Sequence, residues 1–524
     1  MQNQSSFLCS IPTVILEHIA HHTTLLDPFG PPAIIIPLLL TCKHINSALS
    51  FKTCSHLYAR IFRSKFDYRA ATRRFGLRAT FSPNLAKQLK KYCKTLKFIR
   101  RGDIFSESLT KHLWIAFFMM SENDGRNYVQ LKRAGLPQLV DRFVRERLWD
   151  DREHSNGWPA ESTLNSLALW LLFFTTTPET LEAESPEERR ALMELVRPYV
   201  ITAPRYPSFH APDNHFDFPL DEATLGHEFP YTYVTPHGFY PLYRQPEALV
   251  EHYKHYNMKL DIAAPPITIA AKQIYFTRSE MTPYEIPPDF PVDRQAANRQ
   301  AEEAGHRIYP TPTQYDFREF NFHRGVKPVD LGNWDWRSEL NEEDGQMEDD
   351  GVWRKGLKSK SSNWDNDWQR WTYCYNPWAV SNLKGVVYTY GTLQGLWTGR
   401  MLIPDINQYA TLITAAQFPA NFSPQNPNLT TMPLYMRLRE HHCISPEFSV
   451  LPGGDHDGFD DGIRNGWFPK VNIHEANGIV RIEDTVHDFT SKYETYVEGE
   501  GSGEPKEECR EREGGGGKGE EADD

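Results

Sequence analysis

Apolar side chains recur at helical spacing through the first two hundred positions; beyond them the pattern gives way to proline, aromatic rings and short β-prone runs. Ile11, Ile15, Leu16 and Ile19 mark one face of a first helix, with Ser10 as its cap and Pro12 in the first turn, where a missing N–H is harmless. After the helix-resistant Gly30-Pro31-Pro32 turn, Leu38, Leu39, Cys42, Ile45 and Leu49 form a second helical stripe. Two such short helices cannot build a large core of their own, so much of their apolar surface needs a partner. From Ser82, with Pro83 in the first turn, Leu85, Leu89, Tyr92, Leu96 and Ile99 take one side of a longer helix and Lys87, Lys90, Lys91, Lys94 and Lys97 the other. Leu109, Leu113, Ala116, Phe117 and Met120 predict another helix, as do Val140, Phe143, Val144 and Leu148, whereas residues 164–174 are apolar nearly all round, as in a buried helix. In Ser185-Pro186-Glu187-Glu188 the serine can cap, the proline can take the first helical position, and Glu188 can close a capping box ahead of Leu192, Leu195, Val196 and Tyr199. The first two hundred residues therefore read as all-α, without a clear repeat.

From residue 203 helices are interrupted, because 17 of the 38 prolines fall between positions 204 and 328. Tyr and Phe remain plentiful, which predicts a folded but irregular region with short strands such as residues 267–276. An acidic loop is expected at 342–350. Trp364, Trp368 and Trp371 stand at helical spacing, and rings of that size more often fill a core than stack on sugars or bases. Residues 386–390 and 396–403 flank a short Gly-containing turn, and 434–438 and 478–482 supply further β-prone runs. The expected fold class is α+β: helices over 1–80, a helical domain over 81–202, an irregular Pro- and aromatic-rich region over 203–380, and an antiparallel, barrel-like β domain over 381–495. A disordered, acidic, Gly-rich tail is expected over 496–524, since eleven acids and four bases after residue 496 leave almost nothing apolar to offset the entropy of ordering.

Length and composition sharpen this picture. A chain of 524 residues exceeds one compact core, and 40% hydrophobic with 13% aromatic residues describes a folded protein despite a net charge of −12. Seven scattered Cys without CxxC spacing fit reduced thiols, and the longest apolar runs, at 33–40, 113–120 and 167–174, are too short for a membrane helix. With no secretory signal at the amino terminus, these features predict a soluble protein of the cytoplasm or nucleus. Charge is segregated: residues 51–101 hold fifteen Lys and Arg against the single acid Asp67, about +14, so the remainder is about −26. A solvated face, or an intramolecular partner in the acidic remainder, accounts for this better than nucleic acid, for which no base-reading element is found.

No catalytic signature emerges. HExxH and GxSxG are absent, and Gly514 to Lys518 lacks the strand before and the Ser or Thr after that a phosphate loop requires. The carboxylates of residues 453–462 could offer oxygen ligands, but without the closing Glu of a calcium loop they read as a turn that holds no metal. His441, His442 and Cys443 lack a second ligand pair for zinc. No enzyme activity, cofactor or metal is expected.

The two opening stripes, followed by Leu57-Tyr58, resemble an F-box in order and spacing. The run from Leu57 to Asp67, with Arg73-Arg74-Phe75-Gly76 after it, resembles the segment that follows the F-box in a group of large fungal, basidiomycete-type F-box proteins. Gly391-Thr392-Leu393-Gln394-Gly395-Leu396-Trp397-Thr398-Gly399-Arg400 resembles the entry strand of calycin-like barrels and the matching segment of that same group. Leu438-Arg439-Glu440-His441-His442-Cys443 and residues 460–469 are similar to it as well. The resemblance implies a Skp-family adaptor bound through Pro12, Ile15, Leu16, Ile19, Leu39, Cys42, Ile45 and Leu49, with Leu16 near the centre. It further implies a protein substrate, its site unassigned, held by the C-terminal region and presented to a cullin-based ubiquitin ligase. The alternative reading is a small-ligand or carbohydrate-binding β-barrel unconnected to ubiquitination. A third is a hydrolase using Asp455, His456 or Asp457.

Overall fold

The computed structural model describes residues 11–206, 232–235, 238–241, 250–305, 312–326, 329, 331 and 359–373, with most of 391–445 and 471–497. The acidic loop at 342–350, the strand expected at 386–390, the Asp-rich turn at 453–462, the segment 460–469 and the tail from 498 lie outside the described residues.

Twelve helices lead the chain: α1 Thr13–Leu25, α2 Ile35–Leu39, α3 Lys43–Leu49, α4 Ser55–Lys65, α5 Arg69–Phe75, α6 Ser82–Arg101, α7 Leu109–Ser121, α8 Arg126–Ala134, α9 Leu136–Arg147, α10 Thr163–Thr175, α11 Pro178–Ala183 and α12 Pro186–Ile201. The local signals act as physical chemistry requires. Ser185 and Glu188 close the expected capping box at α12, each side chain meeting the other residue's backbone N–H. α6 buries Leu85, Leu89, Tyr92, Leu96 and Ile99 and leaves Lys87, Lys90, Lys94 and Lys97 in solvent. α10 is buried nearly all round, and so is α7, where Trp114, Ile115, Phe118 and Met119 join the single stripe that spacing predicted.

After the helices come hairpin strands β1 Thr232–Thr235 and β2 Gly238–Pro241, then β3 Val250–His255 and β4 Met258–Ala263. α13 Ile267–Ser279, α14 Arg294–Glu303, α15 Gln314–His323 and α16 Asp365–Tyr373 follow. Residues 267–276, expected as a strand, are thus helix. The β-branched start Ile267-Thr268-Ile269 misleads, but Ile267, Ala270, Ala271, Ile274 and Arg278 are buried at helical intervals, and α13 packs between α10 and α12. The final part pairs β5 Gly395–Pro404 with β6 Leu429–Leu438 around α17 Ile406–Thr414, and β7 His441–Cys443, β8 Val471–Ala476, β9 Ile479–Asp484 and β10 Phe489–Thr495 form a sheet in the order β7-β10-β9-β8. All these pairings are antiparallel, so the fold is helical first and antiparallel β afterwards.

Packing does not divide at residue 202. One hydrophobic cluster runs from Leu16 through α4, α6, α7 and α10 to Tyr256, Ile262, Ile274, Leu331, Trp368 and Trp371. Trp371 meets Phe117 and Trp170 at ring distances of 4.8 and 5.7 Å, while Trp368 meets Phe75 at 5.6 Å. The arginines of Arg73-Arg74-Phe75-Gly76 hold that tryptophan helix: Arg73 and Arg74 donate to the two oxygens of Asp365 at 2.8 and 2.9 Å, and the Arg74 guanidinium lies 4.5 Å from the Trp368 ring centre. Two segments nearly three hundred residues apart are thereby one structural unit.

Two other sequence features also meet. The buried Glu440 carboxylate accepts the backbone N–H of Gly391 and of Leu393, fixing the loop that enters β5. Gly391 has φ +94°, a conformation that strains any residue with a Cβ, and a Cβ there would also meet the end of the Tyr496 ring.

Candidate partner-binding surfaces

The N-terminal helices split the eight residues assigned to an adaptor. α1 turns Leu16 and Ala20 inward, with Leu16 only 1% exposed, while Ile15 and Ile19 on the adjoining face are 49% and 44% exposed. Pro12 is exposed and occupies the N-cap position rather than the first turn, and Ser10 lies outside the described residues. The second stripe breaks into two helices. Its break falls at Cys42, whose Sγ caps α3 by accepting the Ile45 N–H, and Ile45 and Leu49 are fully buried. Leu39 and Cys42 are half-buried at the edge of the core. Leu16, Ile45 and Leu49 therefore serve the protein's own core, where α4 supplies much of the partner that the short helices need.

What faces solvent is a different set: Val14, Ile15 and Ile19 on α1, Leu26 after it, and Ile36 and Leu40 on and beside α2. Spacing alone misses Val14, Leu26, Ile36 and Leu40, because a helix with apolar residues on two sides gives no sign of which side the rest of the chain will cover. The connection between α1 and α2 is held in place. Gln130 accepts from the Gly30 N–H and donates to the Pro28 carbonyl, Lys65 donates to the Asp27 carbonyl, and Arg133 stacks on Phe29. The exposed apolar side chains thus sit on a braced support rather than on a loose arm.

A second exposed apolar face lies on the β5–β6 ribbon. Trp397 pairs opposite Met436 and Met401 opposite Met432, and with Ile403 these side chains share one face, of which Trp397, Met401, Ile403 and Met436 are exposed. The other face docks inward only towards the end of β5, where Arg400 pairs with Glu280 at 2.9 Å and covers the Tyr284 ring at 4.1 Å and Leu402 packs on the core, while Leu396 at its start is exposed. His441 and His442 are exposed on β7 beside a half-buried Cys443, and among the described residues no group of His, Cys, Asp and Glu could hold a metal.

Two titratable clusters in the interior tie distant segments of the chain together. Glu122 accepts from Tyr92 at 3.1 Å and Tyr256 at 3.3 Å and meets His255 Nε2 at 2.7 Å, all four being buried, so the tip of the β3–β4 hairpin is plugged into the helical core. Asp67 is equally enclosed. One of its oxygens accepts the N–H groups of Asp124 and Asn127 and so caps α8 from a distance. Burial pushes its carboxyl up to about 7, with the Asp124 charge adding to the rise and the two backbone donors opposing it. Because the folded carboxyl binds its proton more tightly than the unfolded one, stability is expected to fall between about pH 4 and pH 7 and to level off above. At about 1.4 kcal/mol per pH unit the decline amounts to a few kcal/mol. Asp67→Asn is expected to flatten it, as read from urea midpoints of parent and variant at several pH values across that window; an unchanged slope contradicts the assignment.

Among the described residues no helix is long and apolar enough to cross a membrane. No protein-family model matches the chain, and no match is found among curated proteins or solved structures.

Proposed function

We propose that this chain is an F-box substrate receptor, which binds a Skp-family adaptor through α1 and α2 and a protein substrate through its C-terminal region, for presentation to a cullin-based ubiquitin ligase. The observation that carries the reading is the outward set Val14, Ile15, Ile19, Ile36 and Leu40, on helices whose sequence resembles an F-box and whose inner residues are already committed to the core. Large apolar side chains displayed on a braced support are what a protein partner would cover. The outer face of β5–β6 is the corresponding place for substrate, since Trp397 and the methionines beside it offer adaptable apolar contact. The receptor works without cofactor or metal, in the cytoplasm or nucleus where such ligases operate. Co-expression with a Skp-family adaptor and size exclusion tests it: co-elution as one complex is expected, and an adaptor eluting apart from the intact chain overturns it.

The exposed Trp397 favours one other reading, a small-ligand or carbohydrate-binding barrel independent of ubiquitination, because a tryptophan face can stack on a sugar ring. Glycan-array binding lost on Trp397→Ala, in a chain that captures no adaptor, would select it.

A further inference from the structure

We propose that the cleft between α6, the start of α7 and strand β3 binds a compact anion carrying several clustered phosphate groups. The cleft encloses about 640 Å³, within the range of about 300–1,000 Å³ usual for small-molecule sites. Lys91, Lys94, Lys97 and Arg101 of α6, Lys111 of α7 and Lys254 of β3 line it, and among the described residues no carboxylate does. None of the six forms an ion pair among the described residues. The nearby Asp261 is engaged by His252 at 2.7 Å, and Glu251 accepts from the Trp114 indole at 2.8 Å.

The cations are crowded as well as numerous. Along α6 they span about 15 Å at 1.5 Å per residue, with Lys111 and Lys254 facing them. Lys91 donates to the Lys254 backbone carbonyl, which ties α6 to β3 across the cleft. The Lys91 ammonium is held below its ordinary range by burial and then by Lys111 and Lys254, and His112 is held down by burial and then by Lys111 and Lys94. An anion with closely spaced charges relieves that repulsion at several points at once, whereas a single charge relieves it at one.

The aromatic groups argue for a small ligand over a nucleic acid strand. Phe98 is buried and stacked on His112 at 4.2 Å, and Tyr253 packs on Phe118 at 5.2 Å, so these rings are occupied within the protein and do not form a platform for stacked bases. Spacing and charge alone present the lysine face of α6 as solvated or as facing an acidic segment of the same chain. Spacing does not show that β3, about 150 residues away in the chain, and the start of α7 make that face one wall of an open cleft.

Calorimetric titration of the full chain at about 150 mM salt tests the proposal, because surface attraction is largely screened there. Affinity is expected to climb from orthophosphate through pyrophosphate to tripolyphosphate. Lys94→Glu and Lys111→Glu, both at exposed positions, are each expected to weaken tripolyphosphate binding about tenfold or more. Lys87→Glu, the same charge change on the same helix outside the cleft, is expected to change it less than about twofold. Vesicles containing a phosphatidylinositol bisphosphate, run beside its soluble headgroup, identify the source: retention of vesicles with weak headgroup binding and the same lysine dependence supports the site with a lipid as its ligand. The proposal is overturned by tripolyphosphate binding weaker than orthophosphate, by equal losses in all three variants, or by an oligonucleotide or a peptide of residues 498–524 binding more tightly with the same lysine dependence.

Discussion

Ile19→Asp is expected to abolish capture of a Skp-family adaptor while leaving the melting temperature of the chain close to that of the parent. The side chain is 44% exposed, so in the uncomplexed protein the new carboxylate reaches water and disturbs little. Under an adaptor the same group becomes an unpaired buried charge, costing several kcal/mol at about 1.4 kcal/mol per tenfold of affinity, which is a loss of about a hundredfold or more. Leu16→Asp behaves differently. At 1% exposure it places the charge inside the core shared with α3 and α4, and it is expected to unfold the N-terminal helices before any partner arrives. Pull-down and a melting curve on both variants separate the two effects. Full capture by a folded Ile19→Asp chain removes this face from the proposed interface.

Trp371→Ala is expected to destabilise the helical domain by about 3–5 kcal/mol, the range for deleting a large buried ring. Its indole is 2% exposed between Phe117 of α7 and Trp170 of α10, so the loss opens a cavity between two almost fully buried helices rather than in a local C-terminal core. Urea unfolding followed by far-ultraviolet circular dichroism reports mainly on those helices, and its midpoint is expected to fall with the substitution. An unchanged midpoint would show that residues 359–373 fold apart from the helices. Ending the chain near residue 202 is expected to be damaging for the same reason, since it uncovers Phe117, Phe118 and Trp170 together.

Much of the architecture was legible because its signals are local. The capping box at Ser185, the two-sided pattern of α6, the all-round burial of α10 and the β-prone runs of β5, β6 and β9 each depend on residues within a few positions of one another. Residues 267–276 were misread because the β-branched start is itself a local signal, outweighed by packing of α13 against α10 and α12.

The sequence by itself determined where the apolar stripes of α1 to α3 lie and that the basic residues of 51–101 far outnumber the acids. Only the tertiary structure decided what each stripe and each charge faces. It buried Leu16, Ile45 and Leu49 and left Ile15 and Ile19 outside, spent Arg73 and Arg74 on Asp365, and gathered Lys94, Lys97, Lys111 and Lys254 along one open cleft. Periodicity is a property of neighbours in the chain, whereas exposure and charge pairing depend on segments that lie far apart along it and meet only when the core closes.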